Sequence, residues 1–160
     1  MRMLTGSIDS WPTLIGQCFT NLQPGGYLEL CDPIYPISCS DGSLPLDSPL
    51  YRWSSLMNTA PASIGRSLDS ALHYRKQLAQ AGFVNIKETT LRLPTNTWPA
   101  DIRMKQLGAL TCQNLLDGLE GLSLALFTRQ LGWTREEVAR FVADVRKDVV
   151  NTDYHGYFEL

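Results

Sequence analysis

The segment Leu22-Gln-Pro-Gly-Gly-Tyr-Leu-Glu-Leu-Cys-Asp32 constrains this chain more than any other feature. Pro24, Gly25 and Gly26 suit a turn, residues 27–31 have the composition of a strand, and Asp32 closes that run with an acid. Ahead of it, residues 11–22 carry Leu14, Ile15, Cys18, Phe19 and Leu22 at helical spacing. Ser10 is placed to cap that helix, and Pro12 sits in the first turn, where a missing N–H costs nothing. Helix, tight turn, apolar strand and acid together predict an α/β architecture, with the first strand unusually close to Met1.

The remaining pattern continues in the same style. Residues 33–47 hold several prolines and serines and read as a loop or short hairpin. Ser48-Pro49 opens a second helix with Leu50, Trp53, Met57 and Ala60 on one side. A third helix is predicted from about Leu68 to Ala81, stopped by Gly82. Residues 83–93 alternate well enough for a strand, and Pro94 and Pro99 bracket a turn. Residues 101–131 are helical in pattern, with a break expected near Gly118–Gly121. Thr134 and Glu137 are spaced for a reciprocal capping box before an apolar stripe of Val138, Phe141, Val142, Val145 and Val149. Residues 154–160 suit a last strand.

Bulk properties exclude several classes. A chain of 160 residues with 44% hydrophobic and 19% charged residues fits a single globular domain, 1–160. A net charge of -2 leaves no basic footprint for nucleic acid or anionic membrane. No apolar run reaches the roughly 18 residues of a membrane span, and no signal peptide pattern opens the chain. A cytoplasmic protein is the expectation. The cysteines at 18, 31, 39 and 112 form no Cys-x-x-Cys pair, and with two histidines they do not make a metal set.

Several phrases taken together resemble a known family. They are Met3-Leu-Thr-Gly-Ser-Ile8 with Trp11, Pro24-Gly-Gly-Tyr-Leu-Glu-Leu30, Asp41-Gly-Ser-Leu-Pro45, Tyr51-Arg-Trp53 and Ala81-Gly-Phe83. Trp98-Pro99, Asn114-Leu-Leu-Asp-Gly-Leu-Glu-Gly-Leu122 and Trp133-Thr-Arg-Glu-Glu137 complete the set. The combination resembles the fungal methyltransferase-like proteins related to the velvet-associated regulator of secondary metabolism. That resemblance implies a class I S-adenosylmethionine-dependent methyltransferase (Rossmann-like) fold, of which this chain carries the C-terminal half. Few strands, and a helical cap insertion at about residues 99–150, are implied with it.

In that family the preceding half supplies a glycine-rich turn after the first strand and an acid that grips the cofactor ribose. Glycine lets the backbone approach the cofactor, and a carboxylate pairs with ribose hydroxyls. This sequence has no Gly-x-Gly triplet, and Gly25-Gly26 precedes its strand rather than following it. No cofactor is therefore expected on the lone chain, and strand edges left open predict a homodimer or a methyltransferase-like partner.

The expected substrate is a polyketide-like small molecule, acted on by cyclisation or a pericyclic step without adenosylmethionine. The alternatives are a non-catalytic partner subunit of a fuller methyltransferase-like protein and a fragment of an O-methyltransferase. Ligands in open α/β sheets gather beyond the carboxyl ends of parallel strands, which points to Asp32 as a base or anchor and to Tyr35 beside it. Tyr51 and Trp53 on the second helix are expected substrate contacts, and the resemblance implies the same for Met104, Leu107 and Thr111 on the inserted helix, which caps the substrate pocket in that family. His155 is the expected acid–base group, since an unperturbed imidazole titrates near pH 6.5, and Arg103 the expected carbonyl or enolate holder. Glu29 and His73 read as solvent-facing.

Overall fold

The computed structural model describes residues 1–62 and 65–160. Helix α1 spans Trp11–Asn21, strand β1 Ile34–Ser38 and helix α2 Pro49–Ala62. A 3-10 turn over Ser70–His73 leads into α3, Tyr74–Ala81. Strand β2, Arg92–Pro94, precedes the long helices α4, Ile102–Gln130, and α5, Arg135–Val149, and β3, Tyr157–Glu159, ends the chain's regular structure.

The local signals explain most boundaries. The Ser10 hydroxyl accepts from the Thr13 N–H at the start of α1, and Gly82 takes the left-handed conformation (φ 104°) past the end of α3. Thr134 and Glu137 form the expected capping box on α5. Val138, Val142, Val145 and Val149 are buried along α5 as the stripe predicts, with Phe141 packed at the edge of the core. Asp101 caps α4 by accepting from the N–H groups of Arg103 and Met104. One cap was not legible locally: the Leu50 N–H at the start of α2 donates to Asp148 Oδ2 on α5 at 3.0 Å. Burial raises the Asp148 carboxyl above its usual range, and that N–H opposes the shift.

Three sequence expectations about secondary structure are corrected. Residues 27–31 run alongside the chain start but form a single parallel bridge, Arg2 to Cys31, not a strand. Their ladder is confined to three bonds, Met1 to Glu29, Cys31 to Met1 and Met3 to Cys31. A strand needs partners along its length, and the expected run lacks them among the described residues. For the same reason the strand expected over 83–93 shrinks to Arg92–Pro94, and Val84 stays 80% exposed. Finally, α4 passes through Gly118 and Gly121 unbroken. Leu115, Leu119, Ser123 and Phe127 are buried on one side of it, and that packing outweighs the glycine cost of about 1 kcal/mol each.

The sheet is small and antiparallel, in the order β1-β3-β2. Register pairs Leu93 with Phe158 and Pro94 with Tyr157 across β2 and β3, and Ile34 with Glu159 and Ser38 with Tyr157 across β1 and β3. Pro36 is tolerated because β1 is an edge. The outer N–H groups of β1 are met by other elements: Tyr35 donates to the Leu68 carbonyl and Ile37 to the Ser54 hydroxyl.

One core joins this sheet to α2, α4 and α5, built on Ile37, Leu50, Trp53, Leu119, Phe127 and Phe158. Helix α1 packs instead on α3. Trp11 meets Tyr74 at 4.6 Å between ring centres, and Phe19 meets Phe83 edge-on at 5.1 Å. No helix among the described residues is long and apolar enough to cross a membrane.

Candidate functional site

Asp32 is 1% exposed, yet its carboxylate is fully engaged. Oδ1 accepts from the N–H groups of Leu4 and Thr5, and Oδ2 accepts from the Tyr74 hydroxyl at 2.6 Å. Ser70 and Thr5 extend the network through their hydroxyls. Burial first, and the hydrogen bond to Asp32 second, hold the Tyr74 phenol above its usual range. A carboxylate with every oxygen committed to the protein is an anchor, tying the chain start to α3. In this structure Asp32 serves as that anchor, the second of the two roles expected of it. Asp32→Ala is expected to destabilise the chain by about 2 kcal/mol, because it strands buried donors; urea denaturation checks this.

The other expected site residues disperse. Trp53 is fully buried, and its indole N–H donates to the Ser123 hydroxyl at 2.9 Å; it is a core residue. Tyr35 packs between Trp53 and Phe158, and burial pushes its phenol up to about 12. Tyr51 is half-buried against the same core. Thr111 is buried with its hydroxyl turned to the Leu107 carbonyl at 3.0 Å. Met104 is half-buried and Leu107 exposed, so exposure varies along the one side of α4 that carries these three residues. Arg103 is exposed in the first turn of α4. His73 and Glu29 are exposed as expected, Glu29 pairing with Arg2 at 2.6 Å. Two open concavities, of about 290 and 310 Å³, are lined by α4, α5 and the turn between them, with Trp133 and Phe141 at one and Leu124 and Arg129 at the other. Neither is lined by an expected site residue.

His155 lies where chemistry-bearing groups do converge. Its Nδ1 is 2.6 Å from Asp41 Oδ2, and its backbone N–H donates to the Ser43 hydroxyl at 2.9 Å. Trp98 stacks on the imidazole at 4.9 Å and 29°, and its indole N–H is fixed on the Gly156 carbonyl. The loop after β1 presents Asp41 through an Asx turn, in which the Ser43 N–H donates to Asp41 Oδ1 at 3.0 Å. The Cys39 thiol donates to the same oxygen at 3.2 Å. Next door, the Ser40 and Tyr157 hydroxyls lie 2.6 Å apart, and the Arg92 guanidinium covers the Tyr157 ring at 4.7 Å.

The His155 hydrogen bond, with help from Ser43 and Cys39, holds the Asp41 carboxyl well below the usual carboxylate range. A depressed carboxyl contributes stability above its unfolded value of about 4 and loses it as pH falls through the lower folded value. His155→Gln is expected to move the Asp41 titration up toward the ordinary range, read by carboxyl ¹³C shifts. Asp41, Ser43 and Trp98 were not singled out by the sequence as site residues. The Asp-x-Ser spacing was the available signal, but it speaks only for a turn.

Neither Gly6 nor Asp32 is placed to serve adenosylmethionine. Gly6 (φ +73°) turns beside the parallel Arg2–Cys31 bridge, but Leu68 Cδ2 lies 2.6 Å from where its Cβ would be, so protein fills that space. Asp32, the acid at the end of the adjacent run, is 1% exposed and accepts three hydrogen bonds from the protein, so a ribose does not reach it. No group of three or more His, Cys, Asp or Glu side chains among the described residues is placed to hold a metal.

Residues 1–88, which include β1, α2 and α3, match the family model described as "Methyltransferase domain". The chain belongs to that family. It is 39% identical over 159 residues to methyltransferase pytC of Aspergillus terreus, covering 99% of this chain and 49% of that protein. Probable methyltransferase tdiE of Emericella nidulans is 35% identical over 93% of the chain and 47% of its own length. Secondary metabolism regulator LAE1 of Cochliobolus heterostrophus is 36% identical over 98% of the chain and 52% of its own. The chain thus spans about half the length of these relatives. No solved structure matches.

Proposed function

We propose that this chain works on the substrate side of methyltransferase-type chemistry in fungal secondary metabolism. It binds a polyketide-type small molecule and does not hold adenosylmethionine through its own residues. The observation that carries this reading is the poor fit of Gly6 and Asp32 to that cofactor in a chain otherwise akin to pytC along nearly its full length. A bound polyketide can cyclise or rearrange with little covalent help, since shape selects the reactive conformer and one or two polar groups activate a carbonyl or hydroxyl. Incubation of the chain with a panel of phenolic and enolic polyketides, without adenosylmethionine, tests this. Saturable binding with altered product ratios is the expected result, and no binding across the panel overturns it.

A second reading is favoured by one specific observation. Among the described residues, residues 27–30 make no backbone ladder on the side away from Met1–Met3, while Tyr27 is 96% and Met3 58% exposed. Such an edge suits pairing with a second copy or with a methyltransferase-like partner. Light scattering of the purified chain is expected to give a dimer on this reading, and a monomer that captures no related chain removes it.

A further inference from the structure

We infer that His155, held between Asp41 and Trp98, is the proton-accepting site for a phenolic or enolic hydroxyl of the bound small molecule. This rests on the reading of the chain as a small-molecule binder and assigns the residues that meet the ligand.

The geometry fixes the tautomer. The Asp41 carboxylate is held ionised by the His155, Ser43 and Cys39 hydrogen bonds and is an acceptor only. Nδ1 must therefore carry the proton in that 2.6 Å contact, which leaves the lone pair of a neutral ring on Nε2. Nε2 makes no hydrogen bond among the described residues. The side chain is 37% exposed, so a ligand hydroxyl can reach it.

The ring cannot swing away from that pose cheaply. Trp98 covers one face, and Trp98 is itself tied to the Gly156 carbonyl. The Thr95 N–H and hydroxyl converge on the same carbonyl, each at 3.0 Å. Behind it, an added Cβ on Gly156 would lie 3.1 Å from Ile37 and 3.2 Å from Thr95, so the backbone carrying His155 is seated against the core. Base, carboxylate and stacking plane are thus preorganised, as a general base requires.

The step balances without a co-reactant. The ligand O–H bond breaks, an Nε2–H bond forms, and the electron pair stays on the ligand oxygen. Asp41 offsets the imidazolium charge, and the oxyanion is the reactive form for cyclisation or for attack on an electrophile. His155 is the catalytic group here; Asp41 and Trp98 are positioning residues.

Binding of 4-nitrophenol and of its methyl ether 4-nitroanisole to the 160-residue chain tests this, followed by the Trp98 indole N–H signal in ¹H–¹⁵N spectra. The signal is assigned with Trp98→Phe, and the indoles of Trp11, Trp53 and Trp133 report that each variant keeps its fold. The phenol is expected to bind about tenfold more tightly than the ether, the worth of one hydrogen bond. That gap is expected to close in His155→Gln. Asp41→Asn is expected to narrow it, whereas a merely structural role would weaken phenol and ether alike and keep the gap. Equal affinity of the two compounds for the unaltered chain, or an undiminished gap in His155→Gln, overturns the inference and leaves the substrate-side reading standing. Failure of both compounds to bind also overturns the inference, and the polyketide panel alone decides the substrate-side reading.

Discussion

Trp53→Ala is expected to destabilise the chain by about 3–5 kcal/mol, the range for deleting a buried aromatic side chain. Trp53 sits at 0% exposure where α2 meets α4 and the sheet. Its ring faces Tyr35 at 6.2 Å, and its N–H donates to Ser123, whose hydroxyl in turn donates to the Leu119 carbonyl. Alanine removes the apolar volume and an intramolecular hydrogen bond together, and the layers on either side have separate anchors that resist collapse. Trp53→Phe keeps most of the volume, and the Ser123 hydroxyl keeps its bond to Leu119, so about 1–2 kcal/mol is expected there. Urea unfolding of the pair reads both values. A stable Trp53→Ala variant that had lost ligand binding would restore Trp53 to the substrate surface, contrary to the packing described here.

Gly108→Ala is expected to cost about 3 kcal/mol, at the top of the range for overpacking. In an open helix position the same change would stabilise by about 1 kcal/mol. Here an added Cβ would lie 1.9 Å from the Asn96 carbonyl oxygen and 2.7 Å from its carbon, and both are backbone atoms. Asn96 cannot retreat freely. It is 2% exposed, its side-chain amide donates to the Asn151 carbonyl at 2.9 Å, and its Oδ1 accepts from the Trp98 N–H at 3.0 Å. Displacing it disturbs the strap that carries Trp98 to His155, so the variant is also expected to broaden the Trp98 indole signal. Gly121→Ala on the same helix meets open space and serves as the control, with a gain of about 0.5–1 kcal/mol expected. Equal stability of the two variants would contradict the close approach of α4 to the segment after β2.

What the sequence disclosed and what it hid divide by range. Features decided within a few residues were legible: the Ser10 cap, Gly82 past α3, the Thr134–Glu137 box and the valine stripe of α5. Each is fixed by local hydrogen bonding or by helical period. Features decided by a distant partner were not. Residues 27–31 have strand composition, but strand formation depends on neighbours that composition does not supply. Gly118 and Gly121 signalled a break that burial of Leu119 and Ser123 overrode.

The site shows the same division. His155 was legible as a titratable group in a final strand-like segment. Its partner Asp41 lies 114 residues away, and nothing in the local pattern of either residue announces the pair. Asp32 shows the same limit: an acid after an apolar run looks like a ligand group, and its hydrogen bonds from Leu4, Thr5 and Tyr74 were not visible locally. Trp53 and Tyr35 illustrate another limit, because an aromatic residue at helix or strand spacing is equally suited to a pocket wall and to a core.

The proposed role is substrate binding in a methyltransferase-family chain that does not hold the family's cofactor through its own residues. Equilibrium calorimetry of the 160-residue chain with adenosylmethionine tests this most directly. No saturable heat is predicted for the chain alone, because Leu68 fills the space at Gly6 and Asp32 is fully committed. Saturable, stoichiometric binding of adenosylmethionine to the chain alone would contradict it.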